Sequence, residues 1–276
     1  MSEPGIFDPD GPVVRLRGVS LCYRLARQRL HSVKDYAIHW MKGALTYEQL
    51  WALRGIDLEV PRRHRLGLVG RNGAGKSTLL KVISGVLRPT LGEVETVGWV
   101  APILELGTGF DYELTGAENV ALNALLLGRR RKEVEERFDE IVEFSGLAEF
   151  IDSPIRNYSS GMLARLGFAI ATAWTPDILI LDEVLAVGDA AFKRRCVERM
   201  SEIRDRGSAV LLVSHDLDAI RANCDRCVWL DRGEIRAIGS VDEVLDRYEV
   251  DALEPSTAAR RTEGPADRPN RRAVIG

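Results

Sequence analysis

The chain has 276 residues, of which 45% are hydrophobic, so it is long enough for an α/β core of about 200 residues and an appendage. Its formal net charge of −3 excludes the broad basic surface that would indicate nucleic acid as the main ligand. It contains no run of about 20 apolar residues, and its acidic, proline-containing N-terminus fits neither a secretory signal nor a transit peptide, so we expect a cytosolic chain.

The first half of the chain contains a strand, a glycine-rich loop and a helix in that order. Apolar and polar residues alternate over 13–25, which predicts a half-buried strand. Residues 56–70 contain two more strand-like runs, the second of which ends in a glycine-rich turn, and residues 77–87 have helical spacing. This order is the setting that a phosphate-binding loop requires.

The second half alternates helices with strongly apolar strands. Residues 115–175 are mainly helical in pattern, and residues 177–183 form a continuous apolar run, typical of a central parallel strand that is covered on both faces. Three further strands are predicted at 208–215, 227–230 and 234–239. Strands that alternate with helices predict an α/β fold with a parallel sheet wrapped by helices.

Residues 70–77 match the phosphate-loop pattern G-x-x-x-x-G-K-[ST] in full. Glycines let successive backbone N–H groups point at one anion, and the N-terminus of the following helix adds partial positive charge. We expect Lys76 to reach the β- and γ-phosphates and the Ser77 hydroxyl to bind Mg²⁺. A plain glycine turn is the alternative. The predicted nucleotide-binding residues of this segment are Gly70, Asn72, Gly73, Ala74, Gly75, Lys76, Ser77 and Thr78.

Two acidic residues end the apolar run at 177–183. Asp182 is placed to hold Mg²⁺ through water, and Glu183, one residue further on, is placed to face the attacking water as the general base. Acidic residues at strand ends are also common as helix caps. Because this pair occurs together with a phosphate loop, it predicts hydrolysis of a nucleoside triphosphate.

A third segment, residues 158–162 (YSSGM), precedes an apolar helix. We call it the signature, because it resembles a variant of the signature sequence of ABC transporter nucleotide-binding domains. It offers a second helix N-terminus with a hydroxyl and a glycine. A simple helix cap is the alternative. The resemblance covers about residues 13–250 and implies that Ser159, Ser160 and Gly161 bind the ATP held by another subunit.

The same resemblance implies roles for four further residues. Asp189, six residues after Glu183, is similar to the D-loop aspartate, and His215 is similar to the switch histidine that contacts the γ-phosphate, a second catalytic residue. Tyr23 looks like the aromatic residue that stacks on adenine, with a core aromatic on a strand as the alternative. The family's Q-loop glutamine is absent between the phosphate loop and the signature, and Glu105 is the candidate to replace it near Mg²⁺ or the water.

The family fold implied is a P-loop NTPase (RecA-like) parallel sheet core with an antiparallel β subdomain and a helical subdomain at about residues 105–165. The ATP-binding domain is predicted to span residues 1–250, with an insertion at about 26–51. Residues 251–276 are rich in Pro, Ala and Arg without periodicity, which predicts a disordered tail.

Several segments narrow the resemblance to ATPases that export polysaccharides, including O-antigen, teichoic acid and galactan. These segments are ILELGTGFDYELTGAENV, YSSGM and LDEVLAVGD, together with the insertion. Some members carry a C-terminal carbohydrate-binding domain, for which the roughly 25 residues after the core are too few.

This narrower resemblance implies an ATP-hydrolysing motor at the cytoplasmic face of the cell (inner) membrane, with ATP and Mg²⁺ as cofactors. It implies a homodimer attached to an integral membrane permease dimer, through which a polysaccharide or lipid-linked glycan moves, and no nucleic acid. The alternatives are an ABC ATPase that exports a lipid or small molecule and a soluble ABC ATPase outside transport.

The insertion contains four apolar residues at helical spacing. A surface helix packed on the sheet is one interpretation. The other is that residues about 31–50, led by Trp40 and Trp51, contact the permease or the membrane interface, where tryptophan is favoured. The four residues are Val33, Ala37, Trp40 and Ala44.

The four cysteines, Cys22, Cys196, Cys224 and Cys227, are too few and too scattered for a disulfide framework. Cys224 and Cys227 form a C-x-x-C, which could be half of a zinc site, but no second pair exists. We therefore predict thiols that pack in the core, with metal or redox chemistry as the alternative.

Overall fold

A computed structural model describes residues 11–26, 47–103, 109–182 and 190–253 of the chain. Within these ranges strands and helices alternate along most of the sequence. The strands are β1 (Val14–Ala26), β2 (Tyr47–Val60), β3 (Arg65–Val69), β4 (Leu91–Thr96), β5 (Val100–Ile103), β6 (Ile178–Asp182), β7 (Ala209–Val213), β8 (Arg226–Asp231) and β9 (Glu234–Ser240). The helices are α1 (Lys76–Ile83), α2 (Gly116–Leu126), α3 (Arg131–Ser145), α4 (Ser160–Thr172), α5 (Ala190–Asp205), α6 (Leu217–Asn223) and α7 (Val241–Leu253), and a 3-10 helix spans Ile155–Asn157.

The described strands form a largely parallel sheet and a smaller antiparallel one. The first has the order β5-β6-β7-β3-β8-β9, in which only β9 pairs antiparallel with its neighbour. Every residue of β7 is buried, as are the first four residues of β6, which explains why both are continuous apolar runs in the sequence. The second sheet has the order β2-β1-β4.

Helices α2, α3 and α4 lie between β5 and β6 in the chain and form a helical region. The N-terminus of α2 is fixed by a capping box, in which Thr115 accepts from the N–H of Glu118 and the Glu118 carboxylate accepts from the N–H of Thr115. Phe144 of α3 stacks on Phe168 of α4, and Phe192 of α5 meets both rings edge-on. With the two sheets, this region confirms the predicted fold class.

A cation–π contact joins the helical region to an edge of the parallel sheet. The guanidinium carbon of Arg129, in the turn between α2 and α3, lies 3.5 Å from the centre of the Trp99 ring and 5.5 Å from that of Trp174. Trp99 directly precedes the edge strand β5, and Trp174 follows α4. Burial lowers the pKa of Arg129, against the opposing effect of Glu133, yet an arginine stays charged at physiological pH.

Some boundaries differ from the sequence predictions. Residues 47–51, which the sequence placed in the insertion, form the first part of β2, because they continue its pairing with β1. The polar strand β4 and the four-residue strand β5 have no clear alternation in the sequence and were not predicted. Helix α7 continues to Leu253, past the predicted end of the domain at 250. The predicted helix of the insertion lies outside the described residues.

Three of the four cysteines pack as apolar side chains. Cys196, Cys224 and Cys227 are buried in the hydrophobic core, and burial raises the pKa of each thiol to about 12. Such thiols stay protonated and unreactive at neutral pH. In the part of the chain that the structure describes, no helix is long and apolar enough to cross a bilayer.

Candidate functional site

A cleft of about 340 Å³ lies beside the phosphate loop, at the ends of β6 and β7. Because β3, β6 and β7 run parallel, their carboxyl ends share one edge of the sheet, where ligands of open α/β sheets bind. The phosphate loop follows β3, Asp182 ends β6 and His215 comes after β7. The described residues that line the cleft are Tyr23, Leu50, Trp51, Ala52, Asn72, Gly73, Ala74, Gly75, Lys76, Ser77, Thr78, Asp182 and His215.

The phosphate loop needs glycine at two close approaches of the backbone. Gly70 and Gly75 both have positive φ angles, of 149° and 106°. A Cβ atom at Gly70 would lie 2.1 Å from the carbonyl oxygen of Leu230, and one at Gly75 would lie 2.6 Å from that of Ala52. These distances leave no room for a side chain, so the two glycines set the shape of the loop.

Lys76 lies inside the loop that precedes it. Only 8% of the residue is exposed, and its ammonium donates hydrogen bonds to the carbonyl oxygens of Gly70 at 2.6 Å and Arg71 at 3.2 Å. Lys76 is also the first residue of α1, whose N-terminus offers unpaired N–H groups and partial positive charge. The ammonium and the helix terminus therefore occupy the same side of the cleft.

Ser77 and Asp182 come together at this end of the cleft. The Ser77 hydroxyl donates a hydrogen bond of 3.0 Å to the Asp182 carboxylate, although the two residues are 105 positions apart. A hydroxyl and a carboxylate beside a phosphate site are oxygen ligands of the kind that Mg²⁺ takes, together with water and substrate phosphates. The donor set thus fits a magnesium ion.

His215 is an exposed residue at the rim of the cleft. It stands between two residues that fix the local backbone: the Ser214 hydroxyl accepts from the N–H of Asp216, and the Asp216 carboxylate caps α6 by accepting from the N–H of Ala219. This arrangement holds the position of the histidine backbone at the end of β7.

Residues of the antiparallel sheet add apolar side chains to the lining of the cleft. Tyr23 of β1 and Leu50 of β2 are paired across the antiparallel sheet, and Trp51 and Ala52 also line the cleft. Sequence reasoning identified Tyr23 alone, because the other three can be found only from the register of β2 against β1. Trp51 was expected to contact the permease or membrane, but it is half-buried and lines this cleft.

Replacing Tyr23 by alanine should weaken ATP binding about tenfold, since stacking of a base on an aromatic ring contributes about 1–3 kcal/mol. Titration with a fluorescent ATP analogue measures this change. Tyr23→Phe keeps the ring and should retain the affinity. If Tyr23→Ala and the unmodified chain bind ATP equally well, Tyr23 is a core aromatic of the strand and does not stack on adenine.

The signature stands apart from the cleft of its own chain. None of Ser159, Ser160 and Gly161 is among the described residues that line it. Ser159 is exposed and caps α4, its hydroxyl accepting from the N–H of Met162 at 3.2 Å. A Cβ atom at Gly161 would find its nearest neighbour, the Ser159 hydroxyl oxygen, at 3.8 Å, so the fold of this chain does not require glycine there.

Three predicted site residues lie outside the described residues: Glu105, Glu183 and Asp189. In the sequence, Glu183 directly follows β6, Asp189 directly precedes α5, and Glu105 comes two residues after the end of β5. Their assignments as ligand, general base and D-loop aspartate stay predictions.

Three features define the class of P-loop NTPases: a strand, a glycine loop that encloses a lysine, and a carboxylate at the end of another strand that meets the hydroxyl of the residue after the lysine. The family model described as ABC transporter matches residues 53–186. Over 239 residues the chain is 46% identical to the O-antigen export system ATP-binding protein RfbB of Klebsiella pneumoniae, an alignment covering 86% of this chain and 97% of that protein. The chain therefore belongs to the ATP-binding proteins of ABC transporters, an ATPase family, which confirms the predicted membership.

Other relatives are longer than the aligned region. The chain is 42% identical to the O-antigen export protein RfbB of Myxococcus xanthus, with 82% of this chain and 52% of that protein covered. It is 39% identical to the teichoic acids export ATP-binding protein TagH of Enterococcus faecalis, with 85% and 52% covered. A dimeric ATP-binding cassette bound to ADP and Pi shares the fold, with a TM-score of 0.68, 21% identity and coverage of 83% of this chain and 98% of that chain.

Proposed function

We propose that the chain is the ATP-hydrolysing subunit of an exporter that moves a polysaccharide or lipid-linked glycan across the cytoplasmic membrane. It acts at the cytoplasmic face, where it is bound to an integral membrane permease. The observation that carries the substrate class is the 46% identity to an O-antigen export protein over 97% of that protein's length. The resemblance to a teichoic acids export protein supports the same class, since both are named for polymers.

Hydrolysis uses the residues that meet at the carboxyl ends of β3, β6 and β7. The loop N–H groups and Lys76 bind the phosphates, while Ser77 and Asp182 would hold Mg²⁺. When bound, Mg²⁺ would neutralise charge that develops on the phosphate oxygens. Glu183 accepts a proton from the attacking water, and His215 contacts the γ-phosphate from the rim.

A second copy of the chain completes each site. The exposed signature does not line the cleft of its own chain, and Gly161 has room for a methyl group that its own neighbours do not occupy. Both observations support a role toward something outside the chain. In the proposed head-to-tail dimer, Ser159, Ser160 and Gly161 approach the nucleotide held by the other copy, so ATP closes the dimer and hydrolysis opens it.

The helical region offers a surface for the permease. Helices α2 and α3 enclose an apolar groove of about 500 Å³ with charged residues at its rim. Leu125, on α2, lines this groove and is 51% exposed, so its apolar side chain is accessible to a partner. We assign the groove to a helical segment of the permease. Its described lining residues are Ala117, Ala121, Leu125, Arg131, Val134, Glu135, Phe138 and Asp139.

Disrupting the chromosomal copy of the gene should abolish cell-surface glycan, and a plasmid copy should restore it. A plasmid copy with Leu125→Glu should fail, because a buried carboxylate in an apolar contact is costly, and the permease should no longer co-purify with the variant. Leu126→Glu is the matched control, since Leu126 is the next residue of α2, is 67% exposed and does not line the groove.

Extraction of surface glycan and affinity purification of the tagged chain measure these outcomes. Normal surface glycan in the disrupted strain would contradict the substrate class and favour export of a lipid or small molecule. Normal surface glycan with the Leu125→Glu copy would remove the groove from the permease contact while leaving the export assignment intact.

A further inference from the structure

Residues 151–156, which lead to the signature, are hydrogen-bonded to residues 112–117, which precede and open α2. Four backbone hydrogen bonds and one isolated β-bridge, between Thr115 and Pro154, connect them. The two segments therefore move as one unit, because displacing either breaks a run of backbone bonds. The hydrogen bonds are Gly116 N to Ser153 O, Ala117 N to Ile151 O, Ile155 N to Leu114 O and Arg156 N to Tyr112 O.

Tyr158 ends this unit, one residue before Ser159. Only 8% of it is exposed, and its hydroxyl donates a hydrogen bond of 2.7 Å to the carbonyl oxygen of Phe150. Burial, with a smaller effect of Asp152, raises the pKa of the phenol, so the hydroxyl stays protonated and donates at neutral pH. The nearby ion pair of Arg156 with Glu113 is exposed and contributes little by comparison.

Gly116 leaves the space that the tyrosine hydroxyl occupies. A Cβ atom at this position would lie 2.4 Å from the Tyr158 hydroxyl oxygen and 2.9 Å from the carbonyl oxygen of Ile151. Gly116 has no positive φ angle, so the close approach, and not the backbone conformation, requires glycine here. Gly116, the first residue of α2, therefore packs closely against Tyr158, the residue before Ser159.

We propose that Tyr158 is a positioning residue for the signature: held by Phe150 and by the space at Gly116, it fixes where Ser159 meets the nucleotide of a second copy. This rests on the proposed two-copy site. Tyr158 has an extended backbone conformation, and the next residue, Ser159, is the N-cap of α4. A shift of the ring therefore displaces the capping hydroxyl and the N-terminus of α4. The same fit connects the signature with residues 109–117, which follow the predicted Glu105.

Three variants of the purified full-length chain test the proposal. Gly116→Ala should lower kcat at least tenfold, because the added methyl group displaces Tyr158. Tyr158→Phe, which loses one hydroxyl and keeps the ring, should lower kcat about threefold. The double variant should turn over faster than Gly116→Ala alone, because removing the hydroxyl removes the closest contact. Throughout, the affinity of the isolated chain for a fluorescent ATP analogue should change less than twofold.

A lower kcat with unchanged ATP affinity distinguishes a positioning role from misfolding, since a misfolded chain would lose affinity together with kcat. Tyr112→Phe is the matched control: it removes a hydroxyl from an exposed tyrosine of the same unit and should leave kcat unchanged. Equal losses of kcat and affinity in Gly116→Ala, or a double variant no faster than Gly116→Ala, overturn the proposal. If Gly116→Ala does not fold, unchanged kcat in Tyr158→Phe overturns it.

Gly161→Ala separates this inference from the function on which it rests. The added methyl group fits within its own chain, so a loss of activity in this variant would come from contact with the nucleotide held by another copy. Full activity of Gly161→Ala contradicts the two-copy site itself. Impaired turnover in Gly161→Ala with full turnover in Gly116→Ala leaves the two-copy site in place and removes only the role of Tyr158.

Discussion

Replacing Lys76 by alanine should lower ATP turnover at least about 100-fold and weaken ATP binding. The ammonium lies within the phosphate loop and within 2.6 Å of the Gly70 carbonyl oxygen, so it is already confined to the place where phosphate charge arrives. Loss of one such group that stabilises developing charge typically costs about 10²- to 10³-fold in kcat. Phosphate release gives turnover, and calorimetric titration with ATP gives the affinity.

Lys81→Ala is the matched control for this change. Lys81 lies in the last turn of the same helix and does not line the cleft, so its removal should leave turnover within twofold. Loss of activity in both variants would indicate damage to α1 and not loss of a phosphate ligand. Unchanged ATP affinity and turnover in Lys76→Ala would contradict the assignment of the phosphate loop.

Replacing Glu183 by glutamine should trap an ATP-bound dimer and lower turnover about 10²- to 10⁴-fold, the usual contribution of a general base. Glutamine keeps the size of the side chain but cannot accept a proton from water. ATP then binds and closes the two copies without being consumed. Light scattering in the presence of ATP should report twice the mass of one chain, and phosphate release should report the loss of turnover.

The trapped dimer should need both half-sites. Adding Lys76→Ala to Glu183→Gln removes the phosphate ligand, and adding Gly161→Ala crowds the side that faces the other copy, so both double variants should stay monomeric with ATP. Glu202→Gln alters an exposed carboxylate of α5 and serves as the control. A Glu183→Gln chain that is monomeric with ATP at full turnover would rule out both the general base and the ATP-driven closure.

The sequence predicts the buried half of the fold better than the exposed half. Strands β6 and β7 are covered on both faces, so their apolar runs identify them without further information. Strand β4 has no buried residue, and β5 has only four residues including Pro102, so neither carries a periodic pattern. Strand β2 begins earlier than predicted because pairing with β1, and not its own composition, extends it to Tyr47.

The sequence also predicts one part of the site better than another. The phosphate loop is predictable because its chemistry depends on consecutive residues at fixed spacing. The Ser77–Asp182 contact joins distant residues, but each lies where its own strand or helix begins or ends, so the parallel topology brings them together. The lining that the antiparallel sheet contributes is different. Leu50, Trp51 and Ala52 reach the cleft through the pairing of β2 with β1, which the spacing of residues in the sequence does not encode.

The contact of Arg129 with two tryptophans has an optical consequence. Indole emission is sensitive to a cation held 3.5 Å from the ring, and this cation belongs to the helical region while Trp99 belongs to the border of the sheet. Any tilt of one part against the other therefore changes the quenching of an intrinsic fluorophore. Tryptophan fluorescence of the purified chain should therefore report, without an added label, any such tilt that nucleotide binding produces.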